Sequence, residues 1–122
     1  MDLLSSRRLG ENVDANISKL LREVVSLIKE LHPNCTVILF GSYARGDFHE
    51  ESDLDICILV PALTQRRIDM NVEIRGLIGD LIYSYDMGFD NKLYTYDEFE
   101  QEAQYKSTLS YTIKTEGVTL SA

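Results

Sequence analysis

The fold is decided by a stretch that reads Phe40-Gly-Ser-Tyr-Ala-Arg-Gly-Asp47 and resumes, after a short gap, as Ser52-Asp-Leu-Asp55. An apolar, β-rich run from Cys35 to Phe40 precedes it, and a second run, Ile56 to Val60, follows it. This order predicts a strand that ends at Gly-Ser, then a turn with a short helix, and then a second strand that opens with two aspartates.

The two aspartates, Asp53 and Asp55, are two residues apart at the start of the second predicted strand. Strand residues at i and i+2 point to the same face, so their carboxylates are expected side by side. Adjacent carboxylates repel unless a cation lies between them. Hard oxygen ligands of this kind favour Mg²⁺, so the pair predicts a magnesium site that holds one or two ions.

The Gly-Ser half of the stretch predicts a phosphate-binding turn. Gly41 lets the backbone approach a ligand closely or adopt a positive φ. If Ser42 opens a short helix, its amides face an anion, and Arg45, one turn on, is placed to clamp a phosphate. A phosphate-binding turn beside a pair of metal-binding carboxylates is the combination of groups that metal-assisted phosphoryl or nucleotidyl transfer requires.

Taken together, Gly41-Ser42 and, ten residues later, Asp53-Leu54-Asp55 resemble the nucleotidyltransferase signature of the DNA polymerase β superfamily. The fuller string resembles the minimal nucleotidyltransferase branch of that superfamily. The expected fold is therefore α/β (α+β): a small mixed sheet with helices packed on one face and an open active face. The length suits one nucleotidyltransferase domain spanning residues 1–122.

The resemblance also implies a third acidic residue on a strand beside the second one. The predicted third strand, Asp86–Thr95, offers Asp86 and Asp90. These residues are about 13 Å apart in an extended strand, so only one should reach the metals. Asp90 is favoured as metal ligand or proton acceptor because it lies further into the strand, whereas Asp86 sits at its start.

The remaining segments predict helices around this sheet. Apolar residues at three- and four-residue steps predict two long helices, and an acidic start at Asp97 predicts a last one. These segments are Asp14–Leu31, Thr64–Tyr85 and a helix from Asp97 towards Ile113, followed by a short strand or tail at Val118–Leu120.

Composition limits the classes of function. The 122 residues carry a net charge of −8 and show no basic stripe, which argues against an extended nucleic-acid footprint. No apolar run reaches membrane-spanning length and the first ten residues lack a leader-like apolar region, so we expect a cytoplasmic protein without a membrane partner.

The expected activity is Mg²⁺-dependent transfer of a nucleoside monophosphate, AMP from ATP, to a hydroxyl group. The resemblance implies an acceptor too: minimal nucleotidyltransferases of this kind are antitoxin partners of helical HEPN toxins and modify a toxin tyrosine. A HEPN-type protein encoded nearby is thus an expected partner. The alternatives are an aminoglycoside-like small-molecule nucleotidyltransferase and a non-catalytic module that keeps the motif but only binds its partner.

Overall fold

A four-stranded mixed sheet organises the part of the chain that the computed structural model describes, residues 15–121. Helices and strands alternate along most of the chain, as the apolar periodicity predicts. In chain order the elements are α1 (Ala15–Leu31), β1 (Thr36–Phe40), α2 (Ser42–Arg45), β2 (Leu54–Val60), α3 (Arg67–Tyr83), β3 (Phe89–Thr95), α4 (Tyr96–Glu102), α5 (Leu109–Glu116) and β4 (Val118–Ser121).

The strand order across the sheet is β3-β2-β1-β4. The central strand β1 runs antiparallel to both of its neighbours, whereas β2 and β3 are parallel. Parallel neighbours need a crossover connection, and α3 supplies it. The predicted mixed α/β fold is confirmed.

The main core lies between the sheet and the two long helices, α1 and α3. It buries alternate residues of the strands against one stripe of each helix, such as Leu20 and Ile28 of α1 and Ile74 and Ile78 of α3. These side chains are completely buried, so this face is the main apolar contribution to stability.

The opposite face of the sheet carries a smaller core under α4 and α5, which places helices on both faces. The prediction of helices on one face holds only for the two long helices. The residues of β1 and β2 that point away from α1 and α3 are also largely apolar and need their own cover. Phe99 of α4 and Ile113 of α5 provide it, over Ile38, Phe40, Cys57 and Leu59.

The predicted last helix is in fact two helices. Thr95 caps α4 through a reciprocal pair of hydrogen bonds with Glu98, and Thr108 caps α5 by accepting a hydrogen bond from the amide of Tyr111. Because a threonine that caps a helix start has extended backbone, Thr108 interrupts the helix that the apolar spacing predicts. The predicted cap Asp97 lies inside the first turn of α4, and Asp14, the predicted start of α1, lies outside the described residues.

The edge of the sheet at β3 is bounded by a side chain of α3. The guanidinium of Arg67 donates a 2.7 Å hydrogen bond to the carbonyl of Leu93 and pairs with Glu98 at 2.6 Å. Two residues earlier in β3, the buried side-chain amide of Asn91 accepts a hydrogen bond from Arg75 and donates one to Asn71, both on α3. These polar contacts fix β3 against α3 and so fix the strand that carries Asp90.

Candidate active site

Two carboxylates lie where β2 begins. Asp53 is the residue before the strand and is exposed, whereas Asp55 is the second strand residue and is half-buried. Leu54, between them, is completely buried on the main core face. Since neighbouring strand residues point to opposite faces, both aspartates face away from the main core, as predicted.

A third carboxylate stands directly beside this pair. The parallel register of β2 and β3 pairs Asp55 with Asp90, and Leu54 with Phe89. The antiparallel register of β1 and β2 pairs Asp55 with Phe40, the residue before Gly41. Asp55 therefore lies between the strand that ends at the Gly-Ser turn and the strand that carries Asp90.

Asp86, the other candidate for the third acid, is not in the strand. The third strand begins at Phe89 rather than at Asp86, which lies in the turn after α3, exposed, with a φ of 57°. Its amide donates to the carbonyl of Tyr83 at 2.9 Å. An aspartate tolerates this left-handed conformation, and such a residue ends a helix readily. The structure thus brings Asp90, and not Asp86, into register with Asp55.

The three carboxylates influence one another electrostatically. Burial raises the pKa of Asp55, and the negative charges of Asp90 and Asp53 raise it further. Arg45 and Lys92 act in the opposite direction on the same pKa. Such mutual repulsion is what a bound divalent cation relieves.

Two glycines make room for the carboxylates. A Cβ on Gly41, whose φ is 75°, would collide with the carboxylate of Asp55. A Cβ on Gly88 would lie 2.5 Å from Oδ1 of Asp53 and 3.1 Å from its Cγ. Backbone therefore lies directly against each carboxylate, and both glycines act as positioning residues. Gly88 is not among the predicted site residues, although a glycine beside a strand often marks such a close approach.

The Gly-Ser turn forms the predicted short helix. The carbonyl of Gly41 accepts hydrogen bonds from the amides of Ala44 and Arg45, and the carbonyl of Ser42 accepts one from Gly46. Gly46 ends the helix in the left-handed conformation, with a φ of 88°. The turn thus opens α2 directly after Gly41, which lies against Asp55. Phosphate binding by Gly41 and Ser42 stays a prediction.

Arg45 is already engaged in ion pairs. Its Nε lies 3.2 Å from Oδ2 of Asp47 and its Nη1 lies 3.6 Å from Oε1 of Glu116. All three side chains are substantially exposed, so these pairs are weak and can exchange for a phosphate. The role of Arg45 in nucleotide binding stays a prediction.

Lys92, which the sequence analysis does not single out, also lies at this site. It follows Asp90 by two residues on the same face of β3, and its Nζ is 3.3 Å from Oδ2 of Asp90. The i, i+2 spacing of an aspartate and a lysine on a predicted strand is the signal that identifies this pair.

The donor set of the site suits Mg²⁺. Asp53, Asp55 and Asp90 offer hard carboxylate oxygens around one strand pair, and their mutual repulsion favours a cation. Within residues 15–121, no three acidic, histidine or cysteine side chains are already gathered around one point. The residues therefore match the ion in the chemistry of their donor atoms, although their side chains are not gathered around one point in this part of the chain.

The chain matches the family model described as a nucleotidyltransferase domain over residues 18–117. Two relatives from Methanocaldococcus jannaschii bear the names "Putative protein adenylyltransferase" MJ0141 and MJ1305, and each is 44% identical to this chain. The first alignment covers 50% of this chain and 80% of MJ0141; the second covers 41% of this chain and 34% of MJ1305, so the chain matches about a third of that relative's length.

Two solved structures share the fold. A crystal structure of a "putative nucleotidyltransferase" from Sulfolobus solfataricus has a TM-score of 0.58 and 20% identity, covering 94% of this chain and 90% of that one. A chain from a crystal structure of a toxin–antitoxin with AMP-PNP has a TM-score of 0.56 and 25% identity, over 80% of this chain and 69% of that one.

Within residues 15–121, every helix is too short or too polar to cross a membrane. The sheet topology, the carboxylates placed around β2 and β3 and the match over residues 18–117 agree with one another. The chain belongs to the nucleotidyltransferase domain family.

Proposed function

We propose that this protein is a Mg²⁺-dependent adenylyltransferase that transfers AMP from ATP to a hydroxyl group of a protein. The observation that carries the proposal is the register of β2 and β3, which sets Asp90 beside Asp55 next to the Gly41-Ser42 turn. Three acids beside a phosphate-binding turn match the needs of nucleotidyl transfer to a hydroxyl.

The choice of ATP and of a protein acceptor is supported by the relatives. Two of them are named as protein adenylyltransferases, and one structural neighbour was crystallised with AMP-PNP, an ATP analogue. That neighbour is a toxin–antitoxin, which supports a toxin partner for this chain as well. We propose a tyrosine of a HEPN-type toxin encoded nearby as the acceptor.

In the proposed reaction, Asp53, Asp55 and Asp90 hold the metal, and Gly41, Ser42 and Arg45 hold the triphosphate. When bound, Mg²⁺ neutralises phosphate charge and acts as a Lewis acid. The acceptor oxygen attacks the α-phosphorus of ATP and forms a new P–O bond. The bond from the α-phosphorus to the α,β-bridging oxygen breaks, and pyrophosphate leaves with its electron pair. The proton of the acceptor hydroxyl passes to a carboxylate oxygen of Asp90.

The test is incubation of the purified protein with ATP labelled at the α-phosphate and Mg²⁺, with and without the product of the neighbouring gene. We expect label on the partner protein, and loss of label with EDTA, with Asp53→Asn and with Asp55→Asn. The same incubation with ATP labelled at the γ-phosphate should leave the partner unlabelled. Label that persists in both aspartate variants would refute the site, and label from the γ-phosphate would refute nucleotidyl transfer.

A further inference from the structure

Lys92 places a positive charge against one of the three site carboxylates. Its ammonium pairs with Oδ2 of Asp90 at 3.3 Å, and both side chains are close to half exposed. Lys92 also lowers the pKa of Asp55, so its charge reaches a second carboxylate. Lys92 is therefore the cation that pairs with Asp90 in the described part of the chain.

The surroundings of Lys92 leave Asp90 as its ionic partner. The residue beside Lys92 in the register of β2 and β3 is Cys57, which is completely buried. Burial raises the pKa of the Cys57 thiol to about 12, so this thiol is uncharged at neutral pH. Cys57 therefore offers the ammonium no ionic partner on β2, and the ion pair that Lys92 makes is with Asp90 on its own strand.

The same ion pair engages one oxygen of a carboxylate that the proposed metal site needs. Asp55 and Asp90 are neighbours in register, yet no three acidic side chains gather around one point within residues 15–121. The ion pair engages Oδ2 of Asp90. A metal held by Asp53, Asp55 and Asp90 would draw on the same carboxylate, so the ammonium and the metal compete for its negative charge.

We propose that Lys92 is a built-in counter-ion that competes with the divalent metal for Asp90. It is a positioning residue: it holds Asp90 and offsets the repulsion of the three carboxylates in the metal-free protein, and it releases Asp90 when the metal binds. This inference rests on the metal site of the proposed function. It implies that the metal-free site is stabilised at the expense of metal affinity.

The test measures metal binding without nucleotide or acceptor. Full-length protein freed of metal with EDTA is titrated with Mn²⁺, followed by electron paramagnetic resonance, and with Mg²⁺, followed by calorimetry. We expect Lys92→Met to lower the dissociation constant for Mn²⁺ by roughly three- to tenfold, the scale of one exposed ion pair plus one unit of charge. Lys92→Arg keeps the counter-ion and should bind Mn²⁺ like the wild type.

The matched control is Lys114→Met. Lys114, on α5, is a similarly exposed lysine whose Nζ lies 2.7 Å from Oε2 of Glu100 on α4. Its replacement by methionine changes the net charge as much as Lys92→Met does, but it leaves the contacts of Asp90 intact. Its dissociation constant for Mn²⁺ should stay within about twofold of the wild type. Lys92→Gln replaces Lys92→Met if thermal unfolding shows that the methionine variant does not fold.

Three outcomes overturn the inference. In the first, Mn²⁺ affinity is unchanged or weaker in Lys92→Met and Lys92→Gln. In the second, Lys114→Met gains as much affinity as Lys92→Met, so that net charge alone is responsible. In the third, no variant binds Mn²⁺ in an Asp53-dependent way; this result removes the proposed metal site itself, whereas the first two leave that site intact.

Discussion

Gly88→Ala should lower the rate of AMP transfer with little change in the free energy of unfolding, because the added methyl group would meet the carboxylate of Asp53 and not the hydrophobic core. Its Cβ would lie 2.5 Å from Oδ1 of Asp53, where ordinary contacts begin near 3.4 Å. The Asp53 carboxylate must therefore move by about 1 Å. A displacement of that size at a reacting centre costs roughly a hundredfold in rate, or about 2.7 kcal/mol.

The effect of Gly88→Ala on stability should be small. Gly88 does not have a positive φ, so alanine fits its backbone, and Asp53 is exposed and free to rotate. Alanine also lowers the conformational entropy of the unfolded chain, which raises the free energy of unfolding by about 0.4–1 kcal/mol. We expect a free energy of unfolding within about 1 kcal/mol of the wild type.

The assay compares AMP transfer and Mn²⁺ affinity with urea unfolding in the same preparations. Gly76→Ala is the matched control, because its added Cβ would meet nothing within 4 Å beyond the adjacent residues and the backbone of its own helix. Gly76 is an exposed residue in the middle of α3, where alanine has a higher helix propensity than glycine. Gly76→Ala should therefore stabilise the protein by up to about 1 kcal/mol and leave AMP transfer unchanged. Transfer by Gly88→Ala within threefold of the wild type, at normal stability, would refute the view that Gly88 positions Asp53.

Asp90→Asn should reduce transfer far more than Asp86→Asn, because only Asp90 is in register with Asp55; equal losses in a transfer assay would contradict this. Arg45→Ala and Ser42→Ala should each weaken ATP binding, measured by calorimetry at saturating Mg²⁺, by roughly ten- to a hundredfold, the scale of one proposed hydrogen bond to a charged phosphate at about 1.5–3 kcal/mol. Unchanged affinity in both variants would refute the proposed phosphate-binding turn. The raised pKa of Asp55 means that ionising this carboxyl group costs more in the folded, metal-free protein than in the unfolded chain. Stability is therefore lost as the pH rises above the ordinary carboxyl pKa, and the loss is complete once the pH has passed the raised pKa. Urea unfolding in EDTA between pH 4 and pH 8 should therefore show Asp55→Asn gaining stability over the wild type as the pH rises, and a constant difference would contradict the shift.

Much of the fold and part of the site follow from local patterns in the sequence. The apolar runs on either side of Gly41-Ser42 and Asp53-Leu54-Asp55 identify β1 and β2, because strand and turn chemistry are local. The preference for Asp90 over Asp86 follows from its depth in a strand. The pairing of Asp90 with Asp55 cannot be read from local patterns, because it joins residues that are 35 positions apart across the α3 crossover.

Other features depend on contacts that sequence spacing does not contain. Ile68 and Val72 are apolar residues of α3 at a four-residue step, a spacing that predicts a buried stripe, yet they are 64% and 63% exposed. The buried stripe passes instead through Met70 and Ile74, because the position of α3 on the sheet sets which face is covered. Lys92 is a different case: its i, i+2 spacing from Asp90 is a local signal in the sequence, but a lysine on a strand is usually solvated, so this signal is easily passed over.

The contact between Arg67 and β3 has a consequence for self-association. An edge strand with free carbonyls is a template on which another chain can add a strand. The Arg67 guanidinium donates a hydrogen bond to the carbonyl of Leu93 and a second one to the carboxylate of Glu98. A second chain would have to displace a charged, paired side chain before it could extend the sheet beyond β3. The strand that carries Asp90 therefore lies at the sheet margin with one of its carbonyls already bonded, which disfavours pairing with a second chain at that point.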